Sequence, residues 1–406
     1  MQLSYMGTKR RLAPRVARLV SEAKAGPLLD LFSGVCTVAG EIRGARTCWS
    51  NDAQLFAANV GAALLTSASS PLSIQRAGTY LYEDYVANRR ALESRWHPEL
   101  AAERTLLKSG NAAALHAFNA ALPTVVSCKR LAAERRDLSL APEQTPYRLA
   151  TITFAGGYFG LAQAIQIDSI RFAIEAQYGR GVLDLDQRRW MCIALCMAAK
   201  RIATTTGHFA QYLEINRNNA KRFISQRKRS AWKEWLTALD ELFPFGTYSW
   251  RRTNRAYHTD ALTLLDELAE AKPRPAVVYA DPPYTKDQYS RYYHLLDTLL
   301  RYDYPEAIGR GRYPSQRFIS TFSLASSVLD SIEALARSVA KLNATLILSY
   351  PENGLLEDST NQIVKVLKEH FSHFRVRRPF SHQHSTFGAS KGKVTKSTNE
   401  FLFVAH

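Results

Sequence analysis

Asp281-Pro282-Pro283-Tyr284 is the stretch of this 406-residue chain whose residue types and spacing speak most directly of chemistry. It follows the apolar run Val277-Val278-Tyr279-Ala280, so the pattern predicts a loop at the end of a buried strand. Two consecutive prolines fix the backbone and remove two N–H donors, leaving a stiff loop of carbonyl acceptors with one carboxylate. Such a loop suits an exocyclic amine. An adenine swung out of a duplex offers two N6 hydrogens, which the Asp281 carboxylate and the Pro282 carbonyl can both accept, while Tyr284 supplies a ring for stacking. Accepting both hydrogens keeps the nitrogen lone pair out of the ring and aims it at an activated methyl donor, so positioning and nearby negative charge carry the catalysis. The plainer alternative is a strand-ending turn with a helix-capping aspartate.

Such a loop needs a sheet behind it. Pro27-Leu28-Leu29-Asp30-Leu31-Phe32 is a short apolar run that stops at Ser33-Gly34, ahead of a helical stretch through Gly40, and reads as strand, turn, helix. A second short strand, Thr47-Cys48-Trp49-Ser50, stops at Asn51-Asp52 before another helical run, which makes the opening a βαβ unit with ligands expected at the carboxyl ends of its strands. Between about 61 and 250, Ala-, Leu- and Arg-rich segments of helical spacing take over. Strand signals return at Pro275–Ala280, Asn343–Ser349 and Glu400–Val404, so the sheet is predicted to be assembled from both ends of the chain. The Ser/Thr/Lys/Gly-rich tract from Ser381 to Ser397 reads as a mobile loop.

These residues resemble the Dam-like N6-adenine DNA methyltransferases, whose motifs run in the order cofactor loop, glycine loop, insertion, DPPY. The resemblance covers roughly residues 4 to 60 and 255 to 404. Tyr5-Met6-Gly7-Thr8-Lys9 is similar to the family's N-terminal loop, whose aromatic residue and lysine touch the cofactor. Leu29-Asp30-Leu31-Phe32-Ser33-Gly34 resembles its glycine loop, with one departure: Val35-Cys36 stands where a second small residue is usual. Asp52, at the end of the second strand, can hold ribose hydroxyls, its rival role being a helix N-cap. Asp260-Ala261, just before the Leu262–Leu268 helix, resembles the element that holds the cofactor's adenine, again with a helix cap as competitor. The resemblance implies S-adenosyl-L-methionine as cofactor with no metal, double-stranded DNA as substrate with base flipping, and a cognate restriction endonuclease where the enzyme serves a restriction-modification system. It implies an α/β fold: a Rossmann-like class I methyltransferase sheet, largely parallel with an antiparallel last strand and a large helical insertion. The domains are then 1–60 with 251–406 for the methyltransferase and 61–250 for target recognition.

Composition agrees with such a partner. Lys and Arg number 53 against 36 Asp and Glu, a formal net charge of +17 that draws polyanions. The basic run from Arg217 to Arg229 supplies Lys221, Arg222, Arg227, Lys228 and Arg229 as candidate phosphate contacts, with Phe223, Trp232 and Trp235 close by. Arg291 and Tyr292, in the aromatic-rich segment Tyr289–His294, and Lys391 and Lys393 before the final strand complete the candidate DNA surface. Gly156-Gly157-Tyr158-Phe159-Gly160 reads as a tight loop. Five cysteines form no CxxC pair and read as reduced core residues. The apolar run around Trp190–Ala199 is broken by Lys200 and Arg201, and MQLSYMGTKRRL lacks an apolar core, so neither a membrane span nor a secretory leader is expected and the protein should remain cytoplasmic, in a bacterium or phage. Two other readings stay open. One is methylation of RNA adenine or cytosine N4, whose amine is presented alike; the other is a non-catalytic nucleic-acid binder that kept the fold.

Overall fold

The computed structural model describes residues 9–385 and 395–406, the side chains at 378, 380–385 and 395–398 excepted. It is a mixed α/β structure in two compact units: one is drawn from residues 9–68, 244–289 and 318–406, the other from 69–243 and 290–317. The helical unit thus begins at Ser69, later than residue 61, ends its first segment at Phe243, and takes in a second segment, Ser290–Arg317, that the hydrophobic pattern alone had left with the sheet.

In the first unit the strands are β1 (Leu28–Asp30), β2 (Cys48–Asn51), β3 (Arg255–Tyr257) and β4 (Val277–Ala280). The short hairpin strands β5 (Ala307–Ile308) and β6 (Tyr313–Pro314) belong to the helical unit, and β7 (Thr345–Pro351), β8 (Phe374–Ser385) and β9 (Thr395–Ala405) return to the sheet. Among the described residues the sheet has the order β3-β2-β1-β4-β7-β9-β8. All pairings from β3 to β7 are parallel, and β9 runs antiparallel to both β7 and β8. The predicted apolar runs at β1, β2, β4 and β7 are buried along their whole length, because helices cover both faces of a parallel sheet. Leu29, Val278, Leu346 and Phe403 pack with Leu264, Leu265, Ile332, Leu335 and Ile363 into one core.

Besides the β5-β6 hairpin, two strands of the seven-stranded sheet were not foreseen. β3 is three residues at the sheet edge and half-exposed, too short and polar to read as an apolar run. β8 carries Arg375, Arg377 and Pro379 in an edge position, and with β9 it occupies both flanks of the tract read as a mobile loop: Ser381–Ser385 and Thr395–Ser397 are strand, and residues 386–394 lie outside the described residues.

The helical unit is built on Ile74–Arg95, Leu161–Gly179 and Leu185–Ile202. Asp184 and Gln187 form a capping box at the start of the last, and its run Trp190–Ala199 is wholly buried within the unit. Asp168 is buried and accepts hydrogen bonds from the Ala150 and Thr151 amides at 2.7 and 2.8 Å, the Thr151 hydroxyl at 2.6 Å and the Tyr302 hydroxyl at 2.5 Å, which fixes the helix Leu149–Phe154. Gly156 adopts φ +73° and a Cβ there would lie 2.9 Å from the Asn119 carbonyl, so the tight loop predicted at 156–160 requires glycine. No helix among the described residues is long and apolar enough to cross a membrane. Four cysteines are buried and Cys128 is half-buried, and all are free thiols.

Close packing under the sheet gives one stability prediction. Gly61, inside the helix Leu55–Thr66, sits where a Cβ would be 2.5 Å from the Ser50 hydroxyl on β2. Ordinarily Gly→Ala in a helix gains about 1 kcal/mol, whereas forcing a methyl into a filled site costs about 1–3 kcal/mol. Gly61→Ala should therefore lower the thermal midpoint; an unchanged or raised midpoint in a melting experiment would show that helix and strand stand further apart.

Candidate active site at the carboxyl ends of the strands

Every strand from β1 to β4 ends on a residue that carries or precedes a polar group. β1 ends at Asp30, β2 at Asn51 with Asp52 next, β3 two residues before Thr259-Asp260, and β4 one before Asp281. Parallel pairing in register brings these ends to one edge of the sheet, the edge at which open α/β sheets bind ligands.

Two side chains close the loop after β1. Asp52 accepts the Gly34 amide at 2.9 Å through one oxygen and the Gln54 amide at 2.8 Å through the other. It is not the N-cap of the following helix, which is Gln54. Asn51 donates to the Leu31 carbonyl at 3.1 Å and to the Thr259 carbonyl at 3.2 Å, while its own backbone carbonyl accepts from Ser33 at 2.9 Å. Asn51 therefore ties the glycine loop to the Asp260 loop, a role the sequence reading passed over. Gly34 has φ +51°, and Cys36 follows at φ +57°, a left-handed conformation that costs a residue with a Cβ about 1–2 kcal/mol. The departure at Val35-Cys36 thus leaves the turn intact, with Cys36 in the conformation glycine usually adopts and its thiol buried.

The Asp281-Pro282-Pro283-Tyr284 loop packs against a cation held between two carboxylates. Lys9 Nζ lies 2.5 Å from Glu400 Oε1 and 3.1 Å from Asp281 Oδ1. The second contact is a charge contact rather than an aligned hydrogen bond. Ser349 on β7 donates its hydroxyl to the same Glu400 oxygen. Lys9 also stands 5.2 Å over the Tyr284 ring, and the Tyr284 carbonyl accepts from the Leu355 amide at 3.0 Å, which fixes the far end of the loop. Neither Glu400 nor Ser349 was singled out from sequence.

Burial sets the electrostatics. It lifts the Asp30 carboxyl to about 8, with Asp281 and Asp52 adding repulsion. Burial also lifts Asp52 to about 6 against the pull of its two amide donors. Asp281 is raised by burial and by Glu400 while Lys9 opposes. Burial disfavours the charged form of Lys9, but Asp281 and Glu400 outweigh it and its proton is held more tightly than in water. The edge is short of positive charge, so it fits an occupant that brings some.

The remaining candidates separate. Phe32 packs edge-to-face on Phe322 with centroids 5.3 Å apart, and Asp260 caps the helix Ala261–Glu270 by accepting the Leu262 and Thr263 amides at 3.0 and 3.3 Å through Oδ1. Tyr5, Met6, Gly7, Lys391 and Lys393 lie outside the described residues. In the helical unit Lys221, Arg222 and Lys228 are exposed, and Arg229 is exposed with its guanidinium on Glu234 at 2.8 Å. Arg227 is not a surface cation: it is 4% exposed and donates to the Gly157 carbonyl at 2.6 Å and the Thr204 hydroxyl at 3.1 Å. Tyr292 is likewise turned in, edge-on to His208 at 4.5 Å, whereas Arg291 is exposed beside Tyr313. Phe223 and Trp235 are buried and Trp232 packs on Tyr85, so these aromatics hold the unit together.

Comparison with known proteins agrees with this site. Residues 244–347, which include the Asp260 loop, β4 and Asp281-Pro282-Pro283-Tyr284, match the family described as D12 class N6 adenine-specific DNA methyltransferase. The chain is similar to "Modification methylase StsI" of Streptococcus sanguinis, 23% identical over 376 residues that make up 90% of this chain and 46% of that protein. It is also similar to "Type II methyltransferase M.FokI" of Planomicrobium okeanokoites, 29% identical over 52% of this chain and 29% of that one. "Type II methyltransferase M.NlaIII" of Neisseria lactamica is 24% identical over 61% of this chain and 66% of its own. The chain spans less than half the length of the first two of these relatives.

The raised carboxyls make a pH prediction with a definite sign. A carboxyl raised on folding keeps a proton that the unfolded chain has already lost, so its stabilising effect is fully present at low pH and disappears as pH climbs through the folded value. For Asp30 that window runs up to about 8. Asp30→Asn should therefore gain thermal stability relative to the unaltered chain as the pH is raised from 6 to 8.5. A midpoint difference that stays constant across that range would mean Asp30 ionises as it does in water.

Proposed function

We propose, for a chain that carries a D12 class N6 adenine-specific DNA methyltransferase domain at residues 244–347, that it transfers a methyl group from S-adenosyl-L-methionine to the N6 amine of adenine in duplex DNA. The setting we infer is the modification arm of a restriction-modification system, with a cognate endonuclease as partner, or a methylase acting alone. The observation that carries the reading is Asp281, a carboxylate only 13% exposed just past the end of β4, beside Lys9 and at the strand order's turning point between β1 and β4. Ligands bind at such turning points in open α/β sheets, and the order β3-β2-β1-β4-β7-β9-β8 with a reversed β9 supports a Rossmann-like class I methyltransferase sheet.

When bound, S-adenosyl-L-methionine supplies an already activated methyl on a sulfonium. Residues that fit it are the loop Phe32-Ser33-Gly34 with Asp30 for the methionine portion, Asp52 for the ribose, and Asp260-Ala261 for the adenine; Tyr5, Met6, Gly7 and Lys9 would cover it from the N-terminal side. The positive charge it brings answers the shortage at Asp30 and Asp281. With the target adenine flipped out, Asp281 and the Pro282 carbonyl accept its two N6 hydrogens, Pro283 keeps the loop stiff, and Tyr284 stacks on the ring. Asp281, raised towards neutrality by burial, is also a competent acceptor for the proton the nitrogen loses on becoming methylated. For the DNA backbone we assign Lys221, Arg222, Lys228, Arg229 and Arg291, leave Arg227 and Tyr292 to packing, and retain Lys391 and Lys393 on sequence grounds.

Transfer of labelled methyl to mixed-sequence unmethylated DNA, followed by separation of the nucleosides, tests the reaction. Label is expected in N6-methyladenine, and Asp281→Ala should cut the rate by about 10²–10³-fold, the scale on which one preorganised polar group acts, while cofactor binding persists. Label confined to cytosine or to RNA would overturn the substrate. Full activity in the variant would overturn the mechanism, and absence of both transfer and saturable cofactor uptake would leave a nucleic-acid binder.

A further inference from the structure

Resting on that reading, we propose that Glu400 is a positioning residue for the reaction: it anchors the Lys9 ammonium on the side away from Asp281, so that Asp281 keeps an oxygen open for the target amine.

One ammonium faces the buried Glu400 and the partly exposed Asp281, and does not share itself evenly. Nζ is 2.5 Å from Glu400 and 3.1 Å from Asp281, and only the nearer contact is an aligned hydrogen bond. Glu400 is 1% exposed, and the Ser349 hydroxyl holds the accepting oxygen from the neighbouring strand. Its place is fixed by register, because Glu400 lies opposite Pro351, the last residue of β7. Without that anchor, Lys9 would close on Asp281 and occupy the acceptor the amine needs, since an uncompensated buried cation takes the only carboxylate left to it. Glu400 thus keeps a necessary cation near Asp281 and stops it from quenching Asp281.

Among the described residues, the groups that act on Asp281 come from β9, β1, β4, the loop itself and Lys9. Glu400 from β9 raises its proton affinity and Lys9 from the N-terminal segment lowers it. Asp30 from β1, Tyr279 on β4 and Tyr284 in the loop face the same space. Neutralising Glu400 removes a negative charge that favours the protonated form and releases Lys9 towards Asp281, so both changes move the Asp281 titration to lower pH.

The experiment follows Asp281 itself in the full-length, cofactor-free protein: carboxyl titration by infrared spectroscopy with ¹³C-labelled aspartate, the Asp281 band being the one that vanishes in Asp281→Asn. In Glu400→Gln the midpoint should fall by about one pH unit, the usual scale of one removed neighbouring charge. Ser349→Ala, which loosens Glu400 without deleting it, should shift it the same way by less. Single-turnover methyl transfer by the same proteins should show the acid limb moving down in step, with a lower plateau and unchanged KM for DNA. A midpoint that stays put in both variants overturns the proposal, and if Glu400→Gln does not fold, Ser349→Ala decides alone. Because the titration needs no turnover, a shifted midpoint in a protein that methylates nothing would uphold the arrangement and refute only the proposed reaction.

Discussion

Burying like charges is the constraint on which the sheet edge depends. Asp30, Asp52, Asp281 and Glu400 gather there, the last two against Lys9, and burial pushes the first three carboxyls up. A charge taken out of water without a partner is expensive, and four carboxyls with one ammonium between them cannot all be ionised cheaply. The fold tolerates this by distributing donors: two backbone amides to Asp52, one hydroxyl and the ammonium to Glu400. Asp281 has the same ammonium at 3.1 Å, farther off than Glu400.

Topology makes that concentration possible. Lys9 and Glu400 are 391 positions apart, yet the turnaround of β9 brings residue 400 up beside the end of β7. If β9 ran parallel to its neighbours, its Glu400 would meet a different level of the sheet. The reversed strand also lies inside the sheet, between β7 and β8, so Glu400 is enclosed from both flanks. Lys9 and the last strand therefore act on the Asp281 loop together, although the loop belongs to neither.

Much of this was legible in the order of residues. Strands buried on both faces read as continuous apolar runs, so β1, β2, β4 and β7 and the polar residues just past them stood out. Edge strands lack that signal, and β3 and β8 escaped for that reason. Glu400 was missed although its strand was found: within Asn399-Glu400-Phe401 a lone acid looks like a solvent-facing position, and only the pairing register shows it buried. A buried acid opening an otherwise apolar strand was the available cue. Asn51 was missed similarly, as one more polar residue in a turn, when it is the hinge pin of two loops.

Charge was the least transparent quantity. The excess of +17 suggested a basic surface, but several arginines are interior struts. Arg171 donates to the Leu299 and Leu300 carbonyls, Arg312 to those of Thr153 and Ala155, Arg251 to those of Ser67, Phe245 and Gly246, and Arg227 to that of Gly157. Arginine is suited to this because its five donors can satisfy carbonyls at helix ends that the backbone leaves open. A basic run in sequence therefore mixes two populations that composition cannot separate. In Lys221–Arg229 the split follows the helix: Phe223 and Arg227, four residues apart, share the inward face, while Lys221, Arg222 and Lys228 point to solvent. Helical phase, not charge density, is what sorts solvent-facing cations from scaffold.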